Sequence, residues 1–182
     1  VAGSEQLRFL RADLARIVNG RWWRNFGALF SPGFAAVAFY RIDRAAFLAL
    51  GRSWPGVRLA LSPLIALVRP WLGSCEIHYR ADIGPGLLIL HPDLGIVVSG
   101  YATIGTRLTL TGGNCLGMDD RSPGSRLVIG SGVDLGANTT VLGPLVIGDD
   151  VRVGAGSVVV ADLPSGSTAV GVPARVVSER AF

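Results

Sequence analysis

The chain has 182 residues, of which 49% are hydrophobic and only 16% charged, with a mean hydropathy of +0.46 and a net charge of +4. That length holds one repeat body or domain with a small cap and excludes two independent domains. So little charge asks for something besides the chain's own core to cover part of the surface, either association between copies or a membrane surface.

Residues 1–74 are expected to form a helical segment. Ser4 is a plausible N-cap for a helix running to about Val18, Pro32 precedes an amphipathic segment from Gly33 to Leu50, and residues 57–72 form a third, broken one. This part carries ten Arg against Glu5, Asp13 and Asp43, a net +7, whereas the remainder is mildly acidic. No charged, apolar and small-residue series of a signal peptide opens it. The apolar stretch from Val57 to Leu72 is interrupted by Arg58, Pro63, Arg69 and Pro70, which makes a poor transmembrane helix. The RWWR patch from Arg21 to Arg24 has two readings: packing of a helical cap with Arg on its rim, or anchoring at an anionic membrane surface.

From Ile77 onward aliphatic residues recur every six positions, a period that belongs to neither an ordinary strand nor a helix. Three blocks hold the phase: Ile77 to Ile89, Val98 to Leu116, and Ile129 to Val159. Glycine follows many of these residues, where a chain turning a corner benefits from having no Cβ. Three six-residue units make one triangular coil, and stacked coils share a continuous aliphatic column, so the interior is filled and function belongs on the outside. The ladder is interrupted twice, around LHPDLG between Ile89 and Val98 and within GMDDRSPGSR between Leu116 and Ile129. Residues 75–163 are thus the repeat body, and residues 164–182 are expected to form a tail running back along it.

The pieces GFAAVAFYRI at Gly33 to Ile42, EIHYRADIGPGLLILHPDLGIVV from Glu76, and VGAGSVV with GVPAR near the end, in this order on a hexapeptide ladder, resemble the hexapeptide acyltransferases of the serine acetyltransferase-like branch. The segment from Gly132 to Val159 also resembles exopolysaccharide acetyltransferases of the colanic-acid type. The resemblance implies a mainly β fold, a left-handed parallel β-helix behind an N-terminal α-helical segment. It also implies a homotrimer that uses acetyl-CoA as acyl donor.

Acetyl transfer from a thioester to an alcohol needs a base for the hydroxyl proton, a donor to the oxyanion and alignment of the two substrates; no metal is required. Only His78 and His91 are available, too few for a three-histidine zinc site of a carbonic anhydrase. Cys75 and Cys115 lack metal-type spacing, suggest no disulfide framework and fit a reducing cytoplasm. By resemblance His91, inside the first interruption, is the catalytic base, and Glu76 stands at the family's aspartate position; Asp93 is the alternative carboxylate to orient it. His78 reads as structural. The donor's arm is assigned by resemblance to Gly117, Gly136, Ala137, Gly154 and Ala155, with Arg175 toward nucleotide phosphate.

Two departures from the family's pattern bear on the acceptor. Leu90 replaces an aspartate, and the second histidine is absent whether Arg126 or Ser122 is aligned with it. They point to a sugar hydroxyl in surface-polysaccharide assembly, with Arg121 and Arg126 meeting an acidic group of the acceptor. The alternatives are serine O-acetylation, and a non-catalytic scaffold or membrane-binding repeat protein.

Overall fold

A computed structural model describes residues 2–18, 31–118 and 126–179. Helix α1 spans Ala2–Val18 and α2 spans Pro32–Leu50. The first helix starts two residues before Ser4, which therefore lies inside its first turn. The second is capped by Ser31, whose Oγ accepts from Phe34 N at 3.2 Å, with Pro32 supplying the preset φ of a first helical residue. The broken third segment resolves into α3, Trp54–Ala60, and α4, Ser62–Val68. The bonds Leu61 N to Val57 O and Ile65 N to Leu61 O carry the helical pattern across the join. The RWWR patch lies outside the described residues.

The six-residue period becomes three parallel sheets. The first contains β1 (Cys75–Ile77), β4 (Ile96–Val98), β7 (Asn114–Met118), β10 (Thr140–Gly143) and β13 (Val158–Val159). The second contains β2 (Asp82–Ile83), β5 (Ala102–Ile104), β8 (Leu127–Ile129) and β11 (Leu145–Ile147). The third contains β3 (Leu88–Ile89), β6 (Thr109–Leu110), β9 (Asp134–Leu135), β12 (Arg152–Val153), β14 (Ser167–Gly171) and β15 (Ala174–Glu179). Successive strands visit the sheets in turn, giving four complete coils. The ladder residues from Ile83 to Val159 are buried, and Ile77, in the first coil with no coil beneath it, is only partly so.

Each strand from β2 to β14 also buries the residue two before its ladder position, as side-chain alternation requires, while Cys75 of β1 is only partly buried. Leu87, Leu108, Val133 and Val151 fill that row in the third sheet. The first sheet's row turns polar, with Asn114, Thr139 and Ser157 all buried. The tail adds β14 as a further parallel rung on β12 and then reverses into β15, which is antiparallel to β14.

A buried ion pair joins the cap to the first coil. Arg41 Nε donates to Asp13 at 2.8 Å with both side chains inaccessible to solvent. Asp13 also accepts from Gly86 N and Leu87 N at 2.7 and 2.8 Å, while Arg41 donates to Ile83 O and Gly84 O at 2.6 and 2.7 Å. Each charge thus has further polar partners, which a desolvated pair requires. Tyr40 adds a hydroxyl bond to Ala81 O at 2.9 Å, and burial pushes its phenol up to about 12.

Candidate active site

His91 ends β3's rung and begins the corner that leads from the third sheet to the first. Its N donates to Thr111 O at 2.9 Å, its carbonyl accepts from Leu94 N at 3.3 Å, and the short 3-10 turn Pro92–Leu94 holds the three inserted residues. The imidazole is exposed, and among the described residues no side chain hydrogen-bonds it. Leu90 and Leu94 on either side are also exposed.

The strand pairs fix what lies above it. Ile89 is opposite Leu110, Leu110 opposite Leu135 and Leu135 opposite Val153. Two positions further along each chain, His91, Gly112, Ala137 and Ala155 fall in one column, and β14 continues it to Gly171. Gly136 and Gly154 form the adjoining column. At about 4.8 Å per rung, four rungs from His91 to Gly171 span on the order of 19 Å. Arg175 lies opposite Val170, just beyond Gly154, with its guanidinium bonded to Ala174 O.

Gly112 is the residue that the repeat pattern did not single out. Its φ is +136°, and a Cβ there would run into the His91 carbonyl and lie 3.1 Å from both His91 Cβ and Leu94 Cδ1. Behind the column runs the polar row. Asn114 accepts from Gly112 N at 2.9 Å and donates to Gly136 O at 2.8 Å; Thr139 donates to Gly136 O; Ser157 accepts from Gly171 N at 3.1 Å. These bonds satisfy buried backbone groups from inside and hold successive corners in register. A polar residue two before each aliphatic one was the signal for them in the sequence.

The other candidates are more dispersed. Glu76 stands on the outer face of β1, opposite Val97, with its carboxylate 3.5 Å from Arg69 in an exposed pair. Asp93 is exposed within the turn after His91. Neither carboxylate hydrogen-bonds the imidazole. Between them Cys75 donates to Pro92 O at 3.5 Å, and burial, reinforced by the Asp93 charge, pushes its thiol up to about 11. Gly117 lies on β7, beyond the corner. Arg126 is exposed at the entry to β8, on the edge between the first and second sheets, a different edge from that of His91. Arg121 lies outside the described residues.

His78 is bound into the junction of cap and coil. Its ring stacks on Tyr79 with centroids 4.5 Å apart, its Nδ1 accepts from Arg80 N at 3.1 Å, and a Cβ on Gly100 would come within 2.5 Å of that nitrogen. Desolvation, aided by the charges of Arg80 and Arg58, holds its pKa below the usual value against the opposing pull of Asp43 and Glu76.

No protein-family model matches the chain. A serine acetyltransferase of Helicobacter pylori is 38% identical over 152 residues, covering 83% of this chain and 84% of the relative. The chain belongs to the serine acetyltransferase family. A further serine acetyltransferase, from Synechococcus elongatus, is 37% identical over 147 residues, 80% of this chain and 57% of its own length. The crystal structure of the Neisseria gonorrhoeae serine acetyltransferase superposes with a TM-score of 0.81 at 31% identity, covering 98% of this chain and 67% of that one. The same enzyme in complex with serine superposes with a TM-score of 0.79 over 96% of this chain.

Members of the serine acetyltransferase family are acetyl-CoA-dependent O-acetyltransferases, and so is this protein. These relatives overturn the expectation of a sugar acceptor in polysaccharide assembly. That expectation weighed two local departures, at Leu90 and in the loop holding Arg121 and Ser122, above a match that runs through cap and body alike.

Proposed function

We propose that this serine acetyltransferase family member is a serine O-acetyltransferase of cysteine biosynthesis that moves the acetyl group of acetyl-CoA onto the hydroxyl of L-serine. The observation that carries the reading is the Helicobacter pylori relative, matched across 84% of its length; the superposition on a serine-bound relative supports it.

In this reading His91 takes the hydroxyl proton while the serine oxygen attacks the thioester carbon. The tetrahedral oxyanion then collapses, the carbon–sulfur bond breaks, and the imidazolium returns the proton to the departing thiolate. Attack is direct, with no acetyl-enzyme intermediate. The donor's arm lies along the column of small residues that rises from His91, with Gly136, Ala137, Gly154 and Ala155 letting it approach the backbone and Arg175 beyond them toward the nucleotide phosphates. A trimer completes the site in this reading. Gly117 and Arg126, on another face and edge of the same chain, then reach the His91 edge of a neighbouring copy, where Arg126 meets the amino acid's carboxylate; Arg121, outside the described residues, is the other candidate for that role. The cytoplasm, which supplies both substrates, is the place of reaction.

Purified protein given acetyl-CoA and L-serine is expected to release free thiol and form O-acetylserine detectable by mass spectrometry. Absence of that product at saturating serine overturns the reading. His91→Ala is expected to lower kcat by about 10²–10⁴ with little change in acetyl-CoA affinity. Glu76→Gln is expected to cost about tenfold and Asp93→Asn markedly less, because the resemblance assigns the orienting carboxylate to Glu76.

A further inference from the structure

Along the first sheet, the inward row that precedes the ladder runs Cys75, Ile96, Asn114, Thr139 and Ser157. It turns from aliphatic to polar between Ile96 and Asn114, at the corner one coil beyond His91. Ile96 shows that an apolar side chain fills this row. Asn114 is 2% exposed, and an amide so deeply buried costs stability unless its hydrogen bonds are made. Its presence is therefore tied to its partners.

Those partners sit on two successive corners, and the two ends are not equivalent. Gly136 O, which accepts from Asn114 Nδ2 at 2.8 Å, also accepts from Thr139 Oγ1 at 2.8 Å and Thr139 N at 3.3 Å. Gly112 N, which donates to Asn114 Oδ1 at 2.9 Å, has no other acceptor among the described residues. Without Asn114 the Gly136 carbonyl keeps its bonds and the Gly112 amide loses its own. Gly112 is buried and packed on the His91 turn, so closely that an added Cβ would run into the His91 carbonyl. The side chains of Thr139 and Ser157 bond only corners further along the column, at Gly136, Gly154 and Gly171. Asn114 alone of the three bonds the residue that meets the base.

We propose that Asn114 is a positioning residue for His91, acting from inside the β-helix: its Oδ1 holds the Gly112 corner against which the exposed His91 turn is set. This rests on the reading of His91 as the base that takes the serine hydroxyl proton. Losing the bond at the Gly112 end displaces the base and leaves the donor's column in place, so the loss falls on kcat and not on KM for acetyl-CoA.

The test compares three variants. Asn114→Leu keeps the shape without polar atoms, with Asn114→Ala in its place should leucine fail to pack. Asn114→Asp keeps an oxygen facing Gly112 N and, as the protonated acid that burial favours, a donor to Gly136 O. Ser157→Ala removes a buried bond of the same row at the Gly171 corner. Asn114→Leu is expected to lower kcat about tenfold or more with KM for acetyl-CoA within about twofold, and Asn114→Asp to recover most of that loss. Ser157→Ala is expected to unfold at lower urea while kcat stays within about twofold. Amide exchange read by NMR needs no turnover: the His91 and Gly112 amides are expected to exchange faster in Asn114→Leu, with that of Gly136, bonded to Val153 O, unchanged. Unchanged kcat in folded Asn114→Leu, or equal losses of kcat in Asn114→Leu and Ser157→Ala, overturns the proposal. So does faster exchange spread evenly over the coils. If the wild-type protein forms no O-acetylserine, the functional reading falls, and the exchange pattern at His91 still decides the positioning.

Discussion

An exposed imidazole with no side-chain partner among the described residues depends on its backbone for position. For His91 that backbone is held by Thr111 on the next coil and by the close approach of Gly112. Gly112→Ala adds a methyl group that meets the His91 carbonyl at a φ which side chains rarely adopt. It is expected to lower kcat about tenfold or more and to cost more than about 1 kcal/mol of stability. Gly156→Ala is the control. Its φ of +70°, near the left-handed helical region, costs a side chain less than the +136° of Gly112, and a Cβ there meets nothing within 4 Å. Equal losses in the two variants, read by urea denaturation and initial rates, would remove the contact from the account. His91 itself was legible because it sits in an interruption of a regular ladder. Gly112 was not, because its importance comes from a chain passing beside it one coil away, which no local spacing records.

At the scale of elements, the cap and the first coil are joined by charges that neither could bury alone. Asp13→Asn leaves Arg41 charged and inaccessible, and such a loss costs about 3–5 kcal/mol. The variant is expected to unfold at lower urea with the helices loosened first, visible as rapid amide exchange in α1 and α2 while the upper coils stay protected. Uniform loss of protection would show that the cap and coils unfold as one. The helices were readable from Pro32 and apolar spacing, and the coils from the six-residue period. The join between them was not: Asp13 and Arg41 are ordinary helix residues until the fold brings them to the Gly86 turn.

Across the molecule, the junction of cap and coil includes a histidine whose titration is displaced. His78 is packed beside Tyr79, with Arg58 and Arg80 nearby and Asp43 and Glu76 opposing them. Its folded pKa lies below the unfolded value of about 6.5, so below that pH the unfolded chain binds more protons. Stability from this group is therefore complete above about pH 6.5 and is lost as pH falls through the unfolded and then the folded pKa. Proton NMR of the His78 ring is expected to show a midpoint below 6.5, a signal removed in His78→Gln along with that part of the acid sensitivity. A midpoint at or above 6.5 for His78 would contradict the packing described.

The acceptor was the least legible property at this scale. Fold and reaction type are spread over dozens of ladder and motif positions, so a few departures leave them readable. Acceptor choice rests on a handful of side chains near one corner, and reading Leu90 and the lost second histidine in isolation led away from serine, to which the relatives point.

The column above His91 also works as a ruler. Each coil repeats the same corner at one pitch, locked from inside by Asn114, Thr139 and Ser157. In the proposed reading, the separation between the reacting end at His91 and the far end at Gly171 and Arg175 is therefore set by counting rungs, not by the adjustment of any loop. Removing the 18 residues from Gly136 to Val153 would shorten that ruler by one graduation while leaving a β-helix able to stack. A donor of the natural length would then overshoot the far end by about 4.8 Å. On that reading, the repeat turns the length of a flexible thioester arm into a criterion for its acceptance.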